Sequence, residues 1–180
     1  MKPFPLAIAA AALLATAPAG AALAPGAKAP DFSTQAALAG KPFAFSLAQA
    51  LKKGPVVLYF FPAAFTPGCT AEAHDFAEAT AEFAKYGATV IGLTAGNIER
   101  IAEFSSVECR DKFAVGAASP AVIMDYDVVL PQKAGLTNRT SYVIAPGGKV
   151  IFAYSAMNPV GHVTGTMEAV KKWATTHKKG

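Results

Sequence analysis

The chain has little charge, little histidine and little sulfur. Its 180 residues include 16% charged side chains, three histidines, two cysteines and one tryptophan, against 53% apolar residues. A composition with so many apolar and so few charged residues excludes a disordered chain. Because a typical domain has about 150 residues, we expect one domain with its own core. His74, His162 and His177 have no metal-binding spacing, so we expect no metal and no other cofactor.

Long apolar runs are also scarce. Mean hydropathy is positive, at +0.34, but the only uncharged run long enough to span a bilayer is 6–24, which excludes a polytopic membrane protein. Lys2 precedes this run, and the small residues at 19–21 are typical of a signal cleavage site. We therefore expect residues 1–22 to be an export signal, with an uncleaved anchor as the less favoured alternative. Residues 23–180 would form a periplasmic or secreted domain with no stable membrane association.

Basic residues do not gather on one element. They outnumber acidic residues by 16 to 12, and the nearest approach to a patch is Lys171, Lys172, Lys178 and Lys179. Cations in and after a last helical turn stabilise the helix dipole, which accounts for this group. We therefore expect no nucleic-acid binding.

Strands and helices are predicted to alternate in the first half of the domain. Continuous β-branched and aromatic runs at 56–61 and 89–93 predict two central strands that are buried on both faces. Apolar periodicity predicts a helix at 69–86 that ends at Gly87, and a second helix capped by Asn97. Strand, helix, strand, helix in this order implies parallel pairing through right-handed crossovers.

The remaining segments differ in how clearly they are patterned. Alternation predicts a strand at 43–47 and a small helix at 47–53. The segment 113–136 has no clear pattern, apart from a short helix at 121–126 that could also be a strand. Two apolar runs that flank the turn at 146–148 predict a hairpin.

A closing amphipathic helix follows, with apolar residues at Val163, Met167, Val170 and Ala174. These elements together predict an α/β fold. Its central sheet is mixed, parallel at first and antiparallel at the end, with helices on both faces. We find no internal repeat and no second domain.

The residues with reactive chemistry lie between the first buried strand and its helix. Cys69 falls in the first helical turn, where unpaired N–H groups and the positive end of the dipole favour a thiolate. The pattern Pro62-x-x-x-Thr66-x-x-Cys69, with Glu72 three residues further on, resembles the active site of the peroxiredoxins, in particular the bacterioferritin-comigratory or Q-type branch of this AhpC/TSA-like family. A second block, 139–144 followed by a Pro-Gly-Gly turn, resembles the arginine-bearing strand of that family.

The resemblance implies a thioredoxin-like fold and an antioxidant thiol peroxidase that acts on hydrogen peroxide or small hydroperoxides. Cys69 would be the nucleophile and would become a sulfenic acid. Thr66 would bond the sulfur and the peroxide, and Pro62 would shield the thiolate. Arg139 would favour the thiolate and the developing oxyanion. Glu72 either supports the site or is only a first-turn carboxylate. An external thioredoxin- or glutaredoxin-like dithiol would be the reductant.

Cys109 is the only other cysteine of the chain. The commonest Q-type pattern has a resolving cysteine five residues after the nucleophile, where this chain has His74. The resemblance therefore implies that Cys109 resolves the sulfenic acid as an intramolecular disulfide, after partial unwinding of the helix at Cys69. Arg110 and Lys112 would help Cys109 to ionise. We expect His74 to face the solvent.

A second class of function stays open at this point. The chain could be an exported, non-catalytic thioredoxin-like binding module that is held together by a permanent Cys69–Cys109 disulfide. The spacing Thr66-x-x-Cys69 suits that shape, but it lacks the first cysteine of a disulfide oxidoreductase. We expect a monomer, with a small dimer interface left open, and we expect 127–138 to line the substrate pocket.

Overall fold

The computed structural model describes residues 22–177. The predicted export signal, apart from its last residue, and Lys178 and Lys179 lie outside the described residues. Seven strands and five helices are described: β1 (Ser33–Leu38), β2 (Lys41–Ser46), α1 (Leu47–Leu51), β3 (Val56–Phe60), α2 (Pro67–Lys85), β4 (Thr89–Thr94), α3 (Ile101–Val107), β5 (Ala114–Ala117), α4 (Pro120–Asp125), β6 (Thr140–Ile144), β7 (Val150–Ser155) and α5 (His162–Thr176). No helix within this range is long and apolar enough to cross a membrane.

The strands form one mixed sheet in the order β2-β1-β5-β4-β3-β6-β7. β3 pairs in parallel with β4, and β4 with β5, whereas the outer pairs are antiparallel. This confirms the predicted α/β fold. The antiparallel register sets Phe60, at the end of β3, opposite Thr140, at the start of β6. The loop after β3 and the residue before β6 therefore meet at one edge of the sheet.

β3 divides its side chains between two cores. Its even-numbered residues from Val56 to Phe60 pack in a core with α1 and α4. Val57 and Tyr59, together with Phe61 just after the strand, pack in the other core with residues of α2, α3 and α5. All of β3 is fully buried, as expected of a central strand with helices on both faces.

β1 and β5 were not predicted from the sequence. β5 is Ala-Val-Gly-Ala and lies in the segment without a clear pattern, because small residues carry little β-propensity. A Cβ at Gly116 would lie 3.0 Å from the carbonyl oxygen of Gln35 in β1. The small residues therefore serve close packing of these two strands.

Asn97 stands at the N-cap position of the second helical segment, as predicted, but its side chain does not cap it. Its backbone is left-handed, with φ at 56°, and its side chain makes no capping bond. Instead, its Nδ2 donates to the carbonyl oxygen of Ala64 at 2.8 Å. The helix begins with a 3₁₀ turn at Ile98–Arg100. The predicted helix at 121–126 is present as α4, with Ser119 as its N-cap.

Candidate active site

Cys69 is the third residue of α2 and lies in its first turn. Thr66 precedes the helix with an extended backbone, and Pro67 occupies the first helical position, where a missing N–H has no cost. The backbone N–H groups of the first turn have no partner within the helix, and they form the positive end of the helix dipole. The Cys69 side chain is 1% exposed. The Cys69 sulfur is thus shielded from water at the start of the helix.

Arg139 lies directly before β6, and the structure brings its guanidinium to Cys69. Its Nη2 is 3.5 Å from the sulfur, its Nε donates to the carbonyl oxygen of Met157 at 2.9 Å, and its Nη1 donates to the Glu72 carboxylate. Three nitrogens of the planar group are therefore held in place. A Cβ at Gly68 would lie 3.2 Å from Nη2, so only glycine lets Arg139 approach without displacement.

Thr66 and Pro62 lie at the rim of the same loop, both half-buried. The Thr66 hydroxyl donates to the carbonyl oxygen of Ala63 at 3.0 Å and makes no capping bond to the helix. The carbonyl oxygen of Pro62 accepts from the Thr94 hydroxyl at 3.1 Å. Among the described residues, no hydrogen bond joins Thr66 to the sulfur.

Neighbouring segments hold this loop in place, and sequence patterns did not identify them. The Thr137 hydroxyl donates to the carbonyl oxygen of Phe61 at 2.6 Å, and Asn97 bonds Ala64 from the other side. Phe65 has a left-handed backbone, with φ at 61°, which is strained for a bulky residue. The guanidinium of Arg100 covers its ring at 3.9 Å. These contacts maintain the loop against that strain.

Glu72 and His162 form a buried polar group behind Arg139. The Glu72 side chain is fully buried, and its Oε1 has no hydrogen-bond partner but lies 3.6 Å from Nδ1 of His162. Burial raises the pKa of Glu72 from 4.5 to about 8, although Arg139 opposes the shift. Burial likewise lowers the pKa of His162 from 6.5 to about 4. Sequence analysis missed His162 as a site residue, because a lone histidine at a helix start carries no motif.

The raised pKa of Glu72 predicts a loss of stability in mildly alkaline solution. Between pH 4.5 and 8 the folded chain holds the Glu72 proton more tightly than the unfolded chain, so the free energy of unfolding falls as the pH rises. His162 has the opposite effect, but only up to its ordinary pKa of 6.5. From pH 6.5 to 8 we expect a net loss of up to about 2 kcal/mol. Urea unfolding of wild type and Glu72→Gln across this range checks this. The amide should remove the loss, and equal slopes in both proteins would contradict it.

Cys109 follows α3 and is fully buried in the core that contains Cys69, and both cysteines are free thiols. The expectation that Arg110 and Lys112 help Cys109 to ionise is wrong for the structure in which both thiols are free. Burial raises the pKa of the Cys109 thiol, and the nearby Glu108 carboxylate raises it further. Arg110 instead pairs with Glu78 on α2 at 3.0 Å.

His74 was predicted to face the solvent, and this is wrong. Its side chain is half-buried, and its Nε2 lies 2.7 Å from Oε2 of Glu108. The residues on both sides of Cys109 are therefore joined to α2, the helix that carries Cys69, by a hydrogen bond at Glu108 and an ion pair at Arg110. Arg110 and Asp111 both have left-handed backbones, with φ at 52° and 59°. Cys109 thus lies in a strained segment that is fastened to α2 at two points.

The segment 127–138 is partly folded back on itself. Val129 and Thr137 form an isolated antiparallel bridge, which brings Thr137 to the site loop. A cleft of about 530 Å³ lies at β2 and α1, and neither Cys69 nor Arg139 is among its lining residues. No residue of 127–138 lines this cleft either, so the expected place of that segment at a substrate pocket stays a prediction. No group of three or more residues suited to bind a metal occurs between residues 22 and 177.

Comparisons with a family model, with known sequences and with solved structures agree on one family. Residues 25–153 match the model of the AhpC/TSA family. A protein of Mycobacterium tuberculosis that carries a peroxiredoxin name is 36% identical over 112 residues, which are 59% of this chain and 70% of that protein. Peroxiredoxin Bcp of Xanthomonas campestris is 28% identical over 125 residues, 66% of this chain and 78% of that protein. The crystal structure of peroxidoxin BcpB from M. tuberculosis superposes with a TM-score of 0.73 at 28% identity, over 82% of this chain and 96% of that one.

Proposed function

Because the chain belongs to the AhpC/TSA family of peroxiredoxins and is therefore a thiol peroxidase with their thioredoxin-like fold, we propose that Cys69 is its nucleophile and Cys109 its resolving cysteine. The substrate is hydrogen peroxide or a small hydroperoxide. Peroxiredoxins in general use a thioredoxin-like reductant, and here the proposed reductant is an external thioredoxin- or glutaredoxin-like dithiol.

The observation that carries the proposal is the contact between Arg139 and the Cys69 sulfur at 3.5 Å, with both side chains buried. A fixed cation beside the sulfur stabilises the negative charge that develops on the departing oxygen, and it does so more strongly where water is excluded. The thiolate attacks one peroxide oxygen, the O–O bond breaks, and hydroxide leaves. Cys69 becomes a sulfenic acid, which has two more oxidising equivalents than the thiol.

Thr66 and Pro62 complete the substrate site in this proposal. The Thr66 hydroxyl is at present bonded to a backbone carbonyl three residues earlier. Rotation about its side chain would let it bond the peroxide in place of that carbonyl. Pro62 has no N–H and is half-buried at the loop, so it excludes water without offering a competing donor.

Resolution by Cys109 requires movement. Its thiol would attack the sulfenic sulfur, which forms the disulfide and releases water. Both cysteines are buried free thiols, Cys69 in the first turn of α2 and Cys109 in the segment after α3, so we infer that one of these two segments opens to bring the sulfurs to bonding distance. The strained residues Arg110 and Asp111 favour such an opening next to Cys109.

Replacing Cys109 by alanine tests this role. We expect Cys109→Ala, which keeps the buried site apolar, to retain the first reaction with peroxide and to stop at the Cys69 sulfenic acid. A dimedone adduct found by mass spectrometry would report that acid. The wild-type protein, treated alike, should form the intramolecular disulfide and give no adduct. A wild-type protein that accumulates the adduct and forms no disulfide would contradict resolution by Cys109.

The proposal also covers where the protein is found and its oligomeric state. The N-terminal sequence supports an exported protein in the periplasm or outside the cell, and we propose a monomer. The family assignment does not favour a non-catalytic binding module, and the free thiols of Cys69 and Cys109 give no support to a permanent disulfide.

A further inference from the structure

A proton site lies behind the proposed nucleophile, on the far side of Arg139. Oε2 of Glu72 accepts from Arg139, but Oε1 has no hydrogen-bond partner although it is buried. The atom that faces Oε1 is Nδ1 of His162, at 3.6 Å. A buried carboxylate oxygen without a donor is costly, so this pair of atoms needs an explanation.

The hydrogen bonds of His162 fix its tautomer. Its Nε2 lies 2.9 Å from the carbonyl oxygen of Ala156, which can only accept, so Nε2 carries a hydrogen. Nδ1 of the neutral ring is then an acceptor, and it takes the hydroxyl hydrogen of Ser141 at 2.8 Å. The single lone pair of Nδ1 is engaged by that hydroxyl, so His162 offers Oε1 no hydrogen and faces it with an electron-rich nitrogen. An ionised Glu72 would leave the buried Oε1 without a donor, and a proton on the carboxyl removes that cost.

The charges around the pair show when that proton is bound. From α2, the Glu72 carboxyl and the Cys69 sulfur both contact the Arg139 guanidinium, and the carboxylate of Asp75 on the same helix raises the pKa of Glu72 further. Arg139, directly before β6, contributes a positive charge that contacts both Glu72 and Cys69. The Tyr59 hydroxyl from β3 is buried and uncharged, and the Tyr154 ring from β7 packs on His162 at 4.7 Å. With a thiolate and a carboxylate both present, this buried cluster would have a net charge of −1.

We propose that the Glu72–His162 pair holds one proton while Cys69 is a thiolate and releases it when peroxide oxidises the sulfur. This inference rests on Cys69 as the proposed nucleophile. In the reduced state the negative charge of the thiolate balances the positive charge of Arg139, and Glu72 is protonated and neutral. After oxidation the sulfenic acid is neutral, and Arg139 is balanced by the Glu72 carboxylate. His162 is a positioning residue, because it acts through Glu72.

The step balances. The thiolate and hydrogen peroxide give the sulfenic acid and hydroxide, and the proton from Glu72 combines with the hydroxide to give water. Loss of the negative charge on sulfur leaves Arg139 to stabilise only the carboxylate, so the affinity of Glu72 for the proton falls in the same step. When the dithiol later restores the thiolate, the pair takes up a proton again.

Counting protons during one turnover tests the proposal. Cys109→Ala stops the reaction at the sulfenic acid, and a pH indicator in weakly buffered solution measures the protons taken from the solvent. Thiolate absorbance in the ultraviolet must show that Cys69 starts as an anion. Near neutral pH we expect almost no proton uptake per sulfenic acid formed. Uptake should rise to one proton as the pH is raised through about 8, where the pair is already deprotonated.

Two variants in the Cys109→Ala background show which group supplies the proton. Glu72→Gln has no proton to release, so it should take up one proton at every pH tested. His162→Gln places an amide donor at Oε1 and stabilises the carboxylate. The pH midpoint of uptake should therefore fall by about one pH unit or more. A purely structural role for His162 would leave this midpoint unchanged.

The outcomes separate failure of this inference from failure of the proposed function. Sulfenic acid formation with one proton taken up at neutral pH, in both the Cys109→Ala protein and its Glu72→Gln variant, would overturn the proton store and leave the nucleophile intact. A sulfur that is protonated before the reaction would overturn it as well. If no sulfenic acid forms at Cys69, the proposed function itself is wrong.

Discussion

Replacing Cys69 by serine is expected to lower peroxide turnover by about 10⁴-fold or more, because the site loses its only group that can become an anionic sulfur nucleophile. The remaining residues, Arg139 included, can still bind a peroxide but have no atom to accept its oxygen. The measurement is peroxide consumption with an excess of dithiol reductant.

Cys109→Ala is the matched control for this loss. It removes the other buried thiol of the same core but should still consume one peroxide per chain in the first turnover. If Cys69→Ser consumes peroxide at the wild-type rate, Cys69 is not the nucleophile, whatever Cys109→Ala does.

Replacing Arg139 by glutamine is expected to slow the reaction of the thiol with peroxide by about 10²- to 10³-fold, since the site loses the donor aimed at the charge that develops. Arg139→Lys should fall between this variant and the wild type. Its single ammonium group cannot reach Cys69, Glu72 and the Met157 carbonyl oxygen together, as the guanidinium does. Stopped-flow measurement of the second-order rate constant checks both.

Loss of the buried cation could also weaken the fold, so stability needs a separate control. Arg139→Gln leaves the buried Glu72 carboxyl without the guanidinium that bonds it, and an unsatisfied buried polar group typically costs about 1–3 kcal/mol. The double variant Arg139→Gln with Glu72→Gln removes the unpaired acid and should regain stability. It should stay slow with peroxide. A double variant that regains the wild-type rate would show that Arg139 acts only on the fold.

The loop that carries Cys69 could be predicted because its signals are local. A buried strand, a proline that ends it, and a helix whose first turn contains Cys69 all follow from residues 56–86 alone. Arg139 is 70 residues away from Cys69, and only the resemblance to a family linked the two. The physical reason for their contact is the antiparallel register of β3 and β6, which no local pattern specifies.

The features that could not be predicted from the sequence depend on tertiary packing. Cys109 lies in a polar stretch of the sequence and His162 carries no motif, yet the fold buries both completely. His74 was expected to face the solvent because its position was considered on one helix alone, whereas its partner Glu108 comes from another segment. β5 escaped prediction because small residues suit its crowded place in the sheet but carry little strand signal.

The central claim is that peroxide reacts at the Cys69 sulfur that faces Arg139. Its most direct test is peptide mass spectrometry of the reduced wild-type protein after one equivalent of hydrogen peroxide. The account predicts that the peptides of Cys69 and Cys109 become joined, with the loss of two hydrogens, and that the peroxide is consumed. Peroxide left in solution, or oxygen found only on methionines with both thiols still open to alkylation, would contradict it.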